Sequence, residues 1–174
     1  MKQAVLMSIQ PQWCELIARG EKTVEIRKTI PKLGEPFTCY IYCTRGVLSY
    51  PVGNGMVCHN NGGMVVIGEF TCDRITPLFN VCTDAWDRLL GDTHQWHKQL
   101  VERACLTEEE LKAYARGRIC YAWHISNLKL YEKPKRLNEF FYLRNAYVKR
   151  PVGITKELFP VERPPQSWCY VREE

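Results

Sequence analysis

Residues 20–27 (Gly20-Glu21-Lys22-Thr23-Val24-Glu25-Ile26-Arg27) combine two cations and a carboxylate within six positions. A glycine that ends a helix, followed by a short charged strand, places Lys22 at the turn. Alternation then sets Thr23, Glu25 and Arg27 on one face and Val24 and Ile26 on the other. A carboxylate between two cations can orient an ammonium or accept a donor from a base edge. Arg27 can grip a phosphate or a carboxylate with two parallel hydrogen bonds. Glu69, a carboxylate in a mostly apolar strand, is the candidate general acid or base. Lys22 would stabilise a developing oxyanion as a fixed positive charge. Read as an enzyme, the chain has Lys22, Glu25 and Glu69 as its catalytic set. Read as a binding protein, it has Lys22, Glu25, Arg27, Glu69 and Trp168 as ligand contacts. The competing reading is an ion-pair ladder on a half-exposed strand, with Glu69 paired to Arg27 or Lys22.

Trp13, Tyr40, Trp123, Trp168 and Tyr170 are candidates to stack on a base. Trp168 leads them because it follows the Pro164-Pro165-Gln166-Ser167 turn. His124 alternates with apolar residues and reads as a buried, satisfied histidine. No serine has a partner arrangement that marks a nucleophile, and no phosphate-cradling Gly-x-x-x-x-Gly-Lys loop occurs. Nine cysteines are present, but none forms two well-spaced pairs of the kind zinc requires. They read as reduced core thiols. No metal and no cofactor is expected.

The formal net charge is +5. Residues 129–163 hold nine Lys/Arg and four acids, so this one band accounts for the whole excess. Lys133, Lys135, Arg136, Lys149 and Arg150 are its candidate phosphate contacts.

The elements that must position these residues follow from 174 residues of ordinary globular composition, enough for one domain over 1–174. Strands are expected at 4–9, 23–28, 37–44, 64–76, 118–131 and 168–171. Helices are expected from Pro11 to Gly20, around Ala85 to Leu90, over 93–104, and from a Thr107/Glu110 capping box through Ala115. Gly91 and Asp92 would interrupt the middle helices. The glycine-rich stretch 46–63 reads as a long loop. Residues 138–160 read as an irregular elaboration with a short helix at Asn138 to Leu143. Strands at both ends with helices inserted predict an α+β chain, a small β-barrel decorated with helices. No stretch has the length and apolarity of a membrane helix, and the N-terminus lacks a signal-peptide pattern. The expected compartment is the cytoplasm.

The 20–27 run resembles the G-x-K-x-x-E-x-R signature of the ASCH domain family, which is related to the PUA domains. The strand and helix at 4–19 stand where that family has them. The runs 66–70, 121–125 and 163–168 are similar to segments of its bacterial and phage-type members. The resemblance implies a PUA-like β-barrel with a cleft beside the signature, and a role with RNA or nucleotides. Some relatives are amidohydrolases that remove acyl groups from the exocyclic nitrogen of cytidine nucleosides, and others are linked to RNA cleavage. The amidohydrolase site uses a lysine, a threonine and a glutamate. Lys22 matches the lysine, Glu69 is the counterpart of the glutamate, and Glu25 stands where the threonine would be.

The expected function is therefore binding of RNA or a modified nucleobase in that cleft. An amidohydrolase acting on N4-acylated cytidine nucleosides, or a ribonuclease, is the enzymatic alternative. A protein-interaction module is the third reading. The oligomeric state is left open.

Overall fold

The computed structural model describes residues 2–52, 56–78, 91–149 and 152–172. In chain order the elements are β1 (Gln3–Ile9), α1 (Pro11–Ala18), β2 (Val24–Arg27), β3 (Phe37–Cys43), β4 (Leu48–Val52), β5 (Met56–Asn60) and β6 (Val65–Leu78). There follow α2 (Gly91–Arg103), α3 (Glu108–Ala115), β7 (Cys120–Lys135), a 3-10 turn (Leu137–Glu139), β8 (Phe141–Lys149), β9 (Val152–Pro160) and β10 (Trp168–Arg172).

Eight strands form one sheet in the order β2-β7-β6-β3-β1-β10-β8-β9. β1 runs parallel to β3, and the other pairings are antiparallel. Alternation on β1 and β3 separates two faces. Val5, Met7, Ile9, Cys39, Ile41 and Cys43 pack into one core with Cys14 and Ile17 of α1 and with Leu48 and Tyr50 of β4. Ala4, Leu6, Tyr40 and Tyr42 face the other way, against Phe140 and Val161. A third cluster seats Leu100, Val101 and Leu111 of α2 and α3 on Val24 and Ile26 of β2. Those two apolar positions of the charged strand thus anchor it, leaving Glu25 and Arg27 on the opposite face.

Three expectations are corrected. The sheet is open among the described residues and does not close into a barrel by strand pairing. It does curl, because Arg27 on β2 reaches the Ser8 carbonyl on β1, and these strands are separated by three others in the sheet order. Residues 46–63 are not a plain loop: β4 and β5 pair in register as a two-stranded hairpin over Leu48–Asn60, and α1 packs on β4. Residues 138–160 are mostly extended. Among the described residues only the 3-10 turn at Leu137–Glu139 is helical, and β8 and β9 pair along nine positions. The expected helix around Ala85 to Leu90 lies outside the described residues. Gly91 and Asp92, expected as a break, begin α2.

The remaining elements follow their sequence signals. Thr107 accepts from the Glu110 N–H while Glu110 accepts from the Thr107 N–H, the reciprocal capping box that starts α3. No helix among the described residues is long and apolar enough to cross a membrane.

Candidate functional site

The site begins with a helix ending. Gly20 follows α1 with φ of +76°, in the left-handed region where a Cβ would be strained. Its N–H donates to the Ile17 carbonyl, and the Glu21 N–H donates to the Leu16 carbonyl. This paired ending turns the chain sharply after the helix and delivers Lys22 to the interior. The Lys22 ammonium donates to the Ala104 carbonyl at 2.6 Å, just past the end of α2. Carbonyls at a helix C-terminus carry partial negative charge and favour a cation there. The Thr23 N–H donates to the Arg103 carbonyl at 2.9 Å, which fixes the same junction to β2.

Glu25 ties the two cations together. Its Oε2 lies 3.3 Å from Lys22 Nζ and its Oε1 lies 3.0 Å from Arg27 Nη2. Lys22, Glu25 and Arg27 are 3%, 7% and 7% exposed, so this is a buried network and not a surface ladder. Arg27 Nη2 also donates to the Ser8 carbonyl at 2.8 Å, and Nη1 donates to Ser167 Oγ at 3.3 Å. Both Nη groups are thus engaged, while Nε is buried without a hydrogen-bond partner. Lys22 differs: an ammonium has three donors, and two of them meet Ala104 and Glu25. Two buried cations share the Glu25 carboxylate, and Glu110 is a second carboxylate in the same lining.

This network forms part of the lining of a cleft of about 480 Å³, within the size range of small-ligand sites. Ser8, Gln10, Gln12, Trp13, Tyr114 and Gln166 complete its polar and aromatic walls. Lys22 sits over the Trp13 ring, 5.1 Å from the centroid, and Lys28 sits over the Tyr114 ring at 4.7 Å. Burial pushes the Tyr114 phenol up, Arg27 opposes and Glu25 adds to the rise, so Tyr114 presents a neutral hydroxyl. The cleft thus offers two aromatic surfaces, three carboxamides, two cations and the carboxylates of Glu25 and Glu110.

The expected residues divide. Lys22, Glu25 and Arg27 come together in the cleft. Glu69 does not join them. Its strand position pairs with Tyr40 and Lys129, and directly opposed residues share a face. Tyr40 belongs to the cluster on the far side of β3 from Ile41. Glu69 accordingly lines a separate pocket of about 260 Å³ with Thr38, Tyr40, Lys135, Glu139, Phe140 and Arg172. There it accepts from the Tyr131 hydroxyl and lies 3.6 Å from Lys129. The two pockets share no lining residue.

Trp168 packs inward against Trp123 and Tyr170, and its indole N–H donates to Thr29 Oγ1. It is not part of the cleft lining. In the basic band, Lys133 and Lys135 end β7, Arg136 precedes the 3-10 turn, and Lys149 ends β8. Lys133, Lys135 and Arg136 do not line the cleft, and Arg150 lies outside the described residues. His124 is buried and shares hydrogen bonds with Thr76 Oγ1 at 3.1 Å and Arg74 at 3.5 Å. Burial lowers its pKa, with Arg74 and Arg103 adding to the effect. Among the described residues, no group of three or more His, Cys, Asp and Glu is placed to hold a metal.

Sequence reasoning missed Tyr114 and the three glutamines. Tyr114 falls within the expected helix through Ala115, and nothing in its neighbourhood signals that it shares a cleft with Trp13.

Comparison with solved structures gives the same architecture. The ASCH protein of Zymomonas mobilis matches at TM-score 0.57 and 22% identity, over 98% of this chain and 88% of that one. A Tyr-to-Phe variant and a Ser-to-Ala variant of that protein each match at TM-score 0.57 and 21% identity, over 99% and 98% of this chain. No family model matches the sequence, and no curated protein does. The chain has the fold of the ASCH proteins.

Proposed function

We propose that the chain is a single-domain member of the ASCH family that binds an unpaired base of RNA or a modified nucleoside in the cleft beside residues 20–27. The observation that carries this reading is the meeting of Trp13 and Tyr114 with the buried Lys22–Glu25–Arg27 network in one cavity. Aromatic faces stack on any base. Carboxamides and a carboxylate match the donors and acceptors of a base edge, and the Lys22 ammonium suits a ring carbonyl. The basic band would be a second contact for a longer RNA.

Hydrolysis is the second reading, and one observation favours it: a lysine lies 3.3 Å from a carboxylate inside the cleft. In an amidohydrolase built here, Lys22 would hold the developing oxyanion and Glu25 would handle the proton, since Glu69 lines the other pocket. The experiment is calorimetric titration and product analysis of the native protein with cytidine, N4-acetylcytidine and short single-stranded RNA. Saturable binding without product supports the binding reading. Release of acetate, lost in Lys22→Ala, makes it a hydrolase. No binding to any of these removes the nucleoside reading.

A further inference from the structure

We infer that Gln166 selects the ligand of the cleft by pairing with a donor–acceptor edge, and that Ser8 is the residue that positions it. This rests on the nucleoside reading above and assigns the selectivity of that same site.

The first observation is the grip of Ser8 on both neighbours of Gln166. The Ser8 hydroxyl donates to the Pro165 carbonyl at 2.6 Å, and the Ser8 N–H donates to the Ser167 carbonyl at 2.9 Å. The Ser8 carbonyl in turn accepts from Arg27 Nη2 at 2.8 Å. Arg27 Nη1 also meets Ser167, at 3.3 Å to Oγ and 3.4 Å to the carbonyl. Pro164 and Pro165 lead into the segment with fixed φ and no N–H. Residues 161–167 join β9 to β10 without belonging to either strand, yet the main chain is fixed on both sides of Gln166.

The second observation is where this leaves Gln166. It lines the cleft together with Ser8, Trp13, Arg27 and Tyr114, and it is exposed, so a ligand can reach it. Gln10 and Gln12 line the cleft too, but both also face a shallow depression over the start of α1, which Gln166 does not line. A carboxamide carries an acceptor oxygen beside two N–H donors, a match for adjacent C=O and N–H groups on one edge of a ring. Because its backbone is already held, less freedom is lost when it binds. Trp13 and Tyr114 offer ring faces, and stacking tolerates any base. A hydrogen-bonding group, in contrast, rejects a ring that lacks the matching edge. Discrimination among stacked rings therefore falls to Gln166, and its aim falls to Ser8.

The experiment titrates uridine, cytidine, guanosine and adenosine, each beside an analogue methylated on its pairing edge (N3-methyluridine, N4,N4-dimethylcytidine, N1-methylguanosine, N6,N6-dimethyladenosine). The proteins are the native chain, Gln166→Met, which keeps the stem and removes donor and acceptor, and Ser8→Ala, which releases the Pro165 carbonyl. At least one nucleoside is expected to bind the native protein roughly three- to tenfold more tightly than its methylated analogue, the worth of one hydrogen bond. Gln166→Met should bring that pair within about twofold of each other, as a double-mutant cycle reads a direct contact. Ser8→Ala should give an intermediate ratio, a change that a loss of stability alone would not produce. Equal affinity for every nucleoside and its analogue in the native protein overturns the inference and leaves the nucleoside reading standing. A ratio that survives in Gln166→Met overturns the role of Gln166, and a ratio unchanged in Ser8→Ala overturns that of Ser8. If no nucleoside binds the native protein, the nucleoside reading falls and the inference falls with it.

Discussion

Arg27 Nη2 donates to the carbonyl of Ser8 at 2.8 Å, although β7, β6 and β3 lie between their strands in the sheet. The same guanidinium holds Glu25 at 3.0 Å. One side chain therefore curls the sheet and fixes the carboxylate that positions Lys22. Arg27→Ala removes one partner of a buried ion pair, which costs about 3 kcal/mol. The expected loss is roughly 6–12 °C in Tm, read by calorimetry. A loss below about 2 °C would mean that the curl is held elsewhere.

Gly68 lies where the backbones of β6 and β7 approach closely. A Cβ there would stand 2.4 Å from the Lys129 carbonyl oxygen and 3.0 Å from Leu130 Cα, both main-chain atoms that cannot move aside alone. Gly68→Ala is predicted to destabilise by about 2–3 kcal/mol through overpacking. Thermal unfolding of the variant checks this, and an unchanged Tm would show that β6 and β7 separate without strain.

His124 predicts a pH dependence with a definite sign. Burial, Arg74 and Arg103 lower its pKa below the ordinary 6.5. The folded state then binds fewer protons than the unfolded state near that pH, so stability rises with pH. The contribution is complete above about pH 6.5 and is lost as pH falls toward the lowered folded value. Native protein should lose more Tm between pH 7.5 and 5.5 than His124→Gln does. Equal losses would assign the acid sensitivity to other groups.

Much of this site is legible from the chain, because its chemistry sits on a local pattern. Gly20 ends a helix, Val24 and Ile26 point into a core, and Glu25 and Arg27 face the cleft, all set by spacing over eight residues. Glu69 was misplaced in the expectation because strand alternation gives two faces without saying which one meets a distant motif. That choice depends on the register of β6 with β3. Trp168 read as exposed from its Pro-rich approach, yet Trp123 and Tyr170 hold it. The hairpins at Leu48–Asn60 and Phe141–Pro160 were hidden by glycine, proline and asparagine, whose turn chemistry also fits loops. Tyr114 and Lys28 meet through tertiary packing alone.

Salt should separate the two surfaces. Binding of an uncharged nucleoside in the cleft releases no condensed counterions, whereas RNA held by lysines and arginines does, with a slope of about −0.7 per phosphate contact for single strands. Nucleoside affinity is predicted to hold within about twofold between roughly 50 and 200 mM salt, while RNA affinity falls. Filter retention and calorimetry across that range test it. RNA affinity independent of salt would rule out the basic band as a backbone contact.

The most direct measurement of the central claim compares Trp13→Ala with the Lys133→Glu/Lys135→Glu double variant, each titrated with nucleosides and short single-stranded RNA. If the cleft is the ligand site, Trp13→Ala weakens nucleoside binding by roughly tenfold or more, the loss expected for a base-stacking aromatic. The double variant should leave nucleoside binding unchanged and affect only RNA. Nucleoside binding that survives in Trp13→Ala and disappears in the double variant would contradict the account and move the ligand to the Glu69–Lys135 pocket.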